Sequence, residues 1–151
     1  MTLYGTFATA SVKHKLEGIQ ERALRAVFKS KTESFCDLLK RACLPTLYQR
    51  RLRKIATLMF KVKNGIVPHC ISELFHTIPK RYNIRNADYN IPPFRTTHYG
   101  KHSLHFFGPL PWGKLSPADR ERSSLNIFKQ SINKQDLTLL IDECKNCNIC
   151  Y

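Results

Sequence analysis

Residues 46–65, TLYQRRLRKIATLMFKVKNG, constrain the fold more than any other stretch of the chain. Apolar side chains recur there at the three- and four-residue spacing of an amphipathic helix: Tyr48, Leu52, Ile55, Met59 and Val62, with Ala56 and Phe60 alongside. Thr46 and Gln49 form a capping box at the start, and Gly65 is a typical helix end. The stretch therefore predicts a helix with a buried apolar face and a cationic face that carries Arg50, Arg53, Lys54 and Lys61.

Other segments carry similar helical signals. Residues 11–29 predict a helix whose inward stripe is formed by Leu16, Ile19, Ala23 and Val27 and is broadened by Leu24 and Phe28. Ser34 and Asp37 resemble a capping box that opens a helix ending near residue 44. Residues 68–76 predict a short helix, Ser116-Pro117 predicts a helix start, and residues 124–135 predict a last helix.

These elements predict a mainly α chain with four regions. Residues 1–76 form a basic unit of three to four helices, and the proline-rich residues 77–97 form an extended linker. Residues 98–135 combine short strands, arranged as a β-hairpin, with the C-terminal helix, because residues 99–109 are rich in aromatic side chains and contain two glycines. Trp112 should anchor this region in the core. Residues 136–151 form a cysteine-containing tail.

The net charge of +14 points to a polyanionic partner. Residues 11–63 hold 14 lysines and arginines against 4 acidic residues, so the helical first half is the basic part. Nucleic acid is the expected partner, with an anionic membrane surface as the alternative. A basic helix face that only confers solubility explains the same pattern.

The chain contains no apolar run of about 18 residues and no signal-peptide pattern at its start, so we expect no membrane span and no secretion. The expected location is intracellular, in the nucleus or the cytoplasm. A reducing compartment would leave the six cysteines as free thiols. Cys36 and Cys43 are expected to be small buried hydrophobic residues.

The tail holds the one metal-like pattern, C-x2-C-x2-C at Cys144, Cys147 and Cys150. Zinc takes four ligands in a tetrahedron, so a fourth would have to come from a distant histidine or cysteine or from a second chain. A tail with reactive thiols and no metal is the other interpretation.

Catalytic patterns are missing from the sequence. None of the five aspartates is adjacent to another or paired in an apolar hairpin, as two-metal polymerases require. The chain also lacks a glycine-rich phosphate loop and a Gly-x-Ser-x-Gly elbow. We therefore expect no enzymatic activity from this chain alone.

Five short motifs in order resemble the C-terminal region of non-LTR (LINE-type) retrotransposon reverse transcriptases. After a Leu-Tyr-Gly at residues 3–5, residues 15–25 resemble the family's KLE-x-IQ-x-RALR helix, and residues 44–52 resemble its LPSL…RRL helix. Residues 95–112 resemble its TTTYG-x-x-S…GP…W stretch, and residues 124–129 its SL-x-x-FK helix. Together the motifs span most of the chain.

The resemblance implies a thumb or post-thumb region of an RNA-directed DNA polymerase, with the catalytic palm upstream of this chain. It implies that the basic helices hold RNA or an RNA/DNA hybrid through phosphate contacts from Arg50, Arg53, Lys54 and Lys61, helped by Arg22 and Arg25. Tyr82, Tyr89 and Tyr99 either stack on unpaired bases or pack within the protein. The alternatives are a protein-interaction or structural module, and a non-functional transposon remnant.

Overall fold

The computed structural model describes residues 10–77, 88–89 and 103–137. The helices there are α1 (Ala10–Phe28), α2 (Phe35–Arg41), α3 (Leu47–Lys63), α4 (His69–Ser72), α5 (Leu104–Phe107), α6 (Pro109–Lys114), α7 (Pro117–Arg120) and α8 (Leu125–Lys134). The mainly α fold predicted from the sequence is confirmed. Among the described residues, β pairing is limited to one antiparallel bridge between Thr77 and Tyr89.

Helix ends follow the predicted capping signals. The Ser34 hydroxyl accepts a hydrogen bond from the Asp37 amide (3.2 Å) and donates to the Asp37 carboxylate (2.6 Å), which starts α2. The Thr46 hydroxyl accepts from the Gln49 amide at the start of α3. Gly65 has a φ of 66°, and the next amide, that of Ile66, donates to the Lys61 carbonyl. This arrangement ends α3 as a Schellman motif.

The chain divides into two compact units at Arg51 and Leu52, inside α3. In the first unit α1 packs on α2, and the buried side chains are Leu24, Leu38 and Leu39. Phe28, Phe35 and Ala42 pack against that cluster. The predicted boundaries at residues 76, 97 and 135 stay predictions.

The second unit has a core built on the apolar face of α3. Leu52, Ile55, Met59 and Phe60 are buried, as predicted. The Phe60 ring stacks on Phe128 with centroids 4.4 Å apart, and Phe128 lies 6.0 Å from Trp112. Trp112 is fully buried, so its predicted anchoring role is confirmed.

The strand predicted within residues 99–109 is wrong for the residues that the structure describes. The Ser103 hydroxyl accepts from the Phe106 amide and starts α5, and Pro109 begins α6. The Ser103 N-cap favours helix locally. Gly108, which has no side chain, leaves room for Met59 and Phe75 to pack against it. A Cβ on Gly108 would lie 2.8 Å from the Leu104 carbonyl oxygen and 2.9 Å from the Met59 sulfur.

Two burial predictions are also wrong. Most of the α1 face that the sequence predicts to point inward is exposed: the exposed fraction is 38% at Leu16, 55% at Ile19 and 73% at Val27. Of the predicted face, only the flank at Leu24 and Phe28 packs inward, because α2 lies against it.

Cys36 and Cys43 are exposed as well. Cys43 follows the end of α2 with a φ of 51°, in the left-handed position that terminates a helix.

Candidate nucleic-acid interface

Lys54 and Lys61 are the cations of α3 that are placed for an external ligand. Lys54 is exposed and Lys61 is partly exposed. Neither makes a hydrogen bond or ion pair with the rest of the described chain. Seven residues apart on a helix, they share one side, separated by about 10 Å along the axis. Both ammonium groups can therefore reach one polyanionic backbone.

Arg53 has a different environment, although it also lies on α3. Its Nη2 donates to the carbonyl of Asn133 (2.8 Å) and, at 3.4 Å, to that of Gln135. These carbonyls lie at the C-terminus of α8, where the helix dipole attracts a cation. Arg53 is thus committed to an internal contact that joins α3 to α8.

Arg50 lies in the first unit and is partly buried. Its Nε donates to the carbonyl of Pro45, 3.2 Å away, so the guanidinium folds back over the start of α3. Its neighbour Arg51 was not predicted as a site residue. Burial lowers the pKa of Arg51, and the attraction of Glu17 opposes that shift.

The two predicted cations of α1 also differ. Arg25 donates two hydrogen bonds to the Glu21 carboxylate, at 3.0 and 2.7 Å, and a third to the Lys31 carbonyl. The positive charge of Arg25 is therefore largely neutralised by Glu21 of the same helix. Arg22 is exposed, and its Nε donates to the Gly18 carbonyl of the preceding turn.

Sequence reasoning did not select Lys15 and Lys29, which are exposed and stand seven residues on either side of Arg22. The sequence pattern that would identify them is the seven-residue interval, because residues seven apart lie on the same side of a helix. Together with Arg22 they form a cationic row beside the exposed apolar side chains Leu16 and Ile19.

Lys63, in contrast, is a structural cation. Its Nζ donates to the Arg120 carbonyl at 2.8 Å and lies 5.9 Å from the centroid of the Trp112 ring. Beside it, the Asp88 carboxylate accepts from Trp112 Nε1 (2.9 Å) and from Arg120 Nη1 (3.0 Å). Lys63, Asp88 and Arg120 thus surround Trp112 with polar contacts within the second unit.

An open cavity of about 370 Å³ adjoins that group. It is lined by Val62, Lys63, Ser72, Phe75, Thr77, Asp88 and Tyr89. Lys63 and Asp88 both bond within the protein. Burial, with a further contribution from Asp88, raises the pKa of Tyr89 to about 12, so this phenol stays protonated at neutral pH.

Tyr89 is buried and its ring packs edge-on against Phe75, with centroids 6.0 Å apart. Of its two predicted roles, packing is therefore the one that the structure supports. Tyr82 and Tyr99 lie outside the described residues.

The proposed zinc ligands Cys144, Cys147 and Cys150 also lie outside the described residues, so that site stays a prediction. In the part of the chain that is described, no cluster of three or more metal-ligating side chains occurs. Within the same residues, no helix combines the length and the apolarity needed to cross a membrane.

Comparisons of the chain with protein-family models, with curated proteins and with solved structures gave no match.

Proposed function

We propose that this chain is a nucleic-acid-binding C-terminal region of a LINE-type reverse transcriptase, acting inside the cell, in the nucleus or the cytoplasm, and without a catalytic site of its own. The family assignment rests on the ordered sequence motifs, and the binding role rests on charge. The observation that carries the binding role is that Lys54 and Lys61 lie on one side of α3 with no internal partner among the described residues.

The predicted cations then have different roles. Lys54 and Lys61 contact phosphates, and the exposed Arg22 is a separate candidate contact within the first unit. Arg50 and Arg25 add positive potential while they bond within the protein. Arg53 holds α3 to α8 and supports the interface indirectly. Phosphate contacts of this kind carry no base information, so RNA, DNA and hybrid duplexes should bind with affinities that depend steeply on salt.

The test compares two double variants that change the net charge equally. Lys54→Glu/Lys61→Glu removes the proposed contacts, while Lys129→Glu/Lys134→Glu reverses two exposed lysines of α8. Binding to a fluorescein-labelled RNA/DNA hybrid would be followed by anisotropy over a salt series. The first variant should bind about tenfold or more weakly, with a log–log salt slope shallower by roughly 0.9 per lost contact. Thermal melts would show that both variants fold.

An equal loss of affinity in both variants would mean that only net charge matters. The assignment of the phosphate contacts to Lys54 and Lys61 would then be wrong. Binding by the wild-type chain that does not change with salt would favour a protein-interaction module. A wild-type chain that unfolds without a cooperative transition would favour the transposon remnant.

A further inference from the structure

Helix α1 leaves a row of apolar side chains uncovered along one side. We define the α1 stripe as Val12, Leu16, Ile19, Ala23 and Ala26, all of which are exposed. The same helix is held from another side, where Leu24 packs against Leu38 and Leu39 of the first unit. The stripe is therefore presented by an anchored helix.

The spacing of the stripe identifies the shape that fits it. Its residues follow one another at intervals of four, three, four and three, which is the a/d pattern of a helix–helix seam. Ala23 and Ala26 have small side chains, so a second helix can approach the C-terminal end of the stripe closely. A membrane-surface helix instead presents a broad face rich in Trp, Phe or Leu, whereas this stripe, even with the exposed Val27 beside it, has one leucine, no aromatic residue and two alanines.

Charge identifies the chemistry of the partner. Lys15, Arg22 and Lys29 follow one edge of the stripe at seven-residue intervals and are exposed. In heptad terms they occupy successive g positions, which face charged residues of a partner helix. Lys15 and Lys29 form no ion pair within the described residues, and Arg22 bonds only to the backbone of its own helix there.

A second copy of the chain fits this edge poorly. In an antiparallel pair the cationic edge would meet the same cations of the other copy. In a parallel pair Lys15 would face Gln20 and Arg22 would face Val27, so neither cation would gain an acidic partner. A helix with carboxylates beside its seam would gain one at each position.

We propose that the α1 stripe binds an acidic amphipathic α-helix of a partner protein. The apolar seam of that helix lies along the stripe, and its glutamates or aspartates face Lys15, Arg22 and Lys29. This interaction does not involve Lys54 or Lys61, whereas Arg22 is a candidate contact for both partners.

The probe is a synthetic four-heptad peptide with leucine at the a and d positions and glutamate at e and g. A second peptide carries lysine at e and g, and a third has the acidic composition in scrambled order. Each is labelled and titrated with the full 151-residue chain. The acidic seam peptide should bind about tenfold or more tightly than either of the others, because it alone combines the apolar and charged matches.

Two variants locate the binding on the stripe. Leu16→Ser/Ile19→Ser should weaken binding about tenfold or more, since it removes the central apolar contacts. Lys15→Glu/Arg22→Glu should reverse the preference, so that the lysine-flanked peptide binds better. Ile66→Ser/Ile127→Ser changes two exposed isoleucines elsewhere and should leave binding unchanged. All of these positions are exposed, so the variants should fold, which circular dichroism would verify.

Three results would overturn the proposal. The first is equal binding of the scrambled acidic peptide, which would reduce the effect to net charge. The second is self-association in sedimentation experiments that Leu16→Ser/Ile19→Ser abolishes, which would make a second copy the occupant. The third is binding to phosphatidylserine vesicles, lost in the same variant, without binding of the seam peptide.

Discussion

Replacing Asp119 by alanine should destabilise the second unit by about 3 kcal/mol. The Asp119 carboxylate is buried, with 4% of the residue exposed. It accepts hydrogen bonds from the hydroxyls of Ser131 (2.5 Å) and Ser116 (2.7 Å) and from the Gln135 amide (2.7 Å). A hydrogen bond to a charged group contributes roughly 1.5–3 kcal/mol to stability. The three bonds share one carboxylate and are not additive, and the Ser116 hydroxyl can bond to water in the variant. The expected loss is therefore well below the sum of three such bonds.

Asp37 provides the matched control in the same local motif. Its carboxylate accepts from the Ser34 hydroxyl at the start of α2, just as Asp119 accepts from Ser116 at the start of α7, but Asp37 is exposed. Asp37→Ala leaves the Ser34 cap on the backbone amide intact and removes an exposed hydrogen bond and a favourable charge at the helix N-terminus. It should therefore cost about 1 kcal/mol or less.

Urea unfolding distinguishes the two cases. Trp112 is the single tryptophan and lies in the second unit, so its fluorescence reports Asp119→Ala, while far-UV circular dichroism reports both variants. If Asp119→Ala lowers the free energy of unfolding by no more than Asp37→Ala does, the buried hydrogen bonds add nothing and the reasoning is refuted.

The same carboxylate predicts how stability depends on pH. Burial acts to raise the pKa of Asp119, but hydrogen bonds from Ser131, Gln135 and Ser116 and the charge of Arg122 outweigh it, so the pKa is lowered. A carboxyl group with a lowered pKa stabilises the fold above its unfolded pKa of about 3.9 and stops doing so as the pH falls through its folded value. The difference in stability between the wild-type chain and Asp119→Asn should therefore shrink below about pH 4.

Three further changes test other parts of the structure. Gly108→Ala should destabilise the second unit by about 1–3 kcal/mol in urea melts, because the new methyl group would press on the Met59 sulfur and on the backbone; an unchanged midpoint would show that the packing is looser than described. Gln20→Met should be neutral or stabilising by about 1 kcal/mol, since both polar atoms of the buried Gln20 amide lack partners in the described chain; a clear loss of stability would reveal a partner. Tyr89, whose pKa burial and Asp88 raise to about 12, favours the fold below pH 10, and that contribution is lost as the pH rises towards 12. Tyr89→Phe should flatten the pH dependence of stability in that range, and an identical profile would contradict the shift.

Local signals predicted helix positions well, because they act over three to five residues. The predicted capping residues Ser34, Thr46 and Ser116 each start a helix, and Gly65 ends one. The apolar period of α3 also predicted its buried face. In these cases the interactions that stabilise the structure lie within one turn of the residue that makes them.

The partners of charged side chains could not be predicted in this way. Arg53 and Lys54 are adjacent in the sequence and equally basic. Arg53 bonds to carbonyls about 80 residues further along the chain, while Lys54 lies in solvent. A periodic pattern reports the direction of a side chain but not what lies in that direction.

The sequence by itself determined that this chain is a basic, mainly α protein, and it determined where most described helices begin and end. Tertiary structure alone decided which side of α1 is buried, because α1 carries two apolar surfaces and α2 covers only the one at Leu24. The close approach of Met59 and Phe75 to Gly108, just after residues 104–107, is likewise a property of the tertiary structure. Burial is a property of pairs of surfaces, so the chain reveals it only after its elements have packed together.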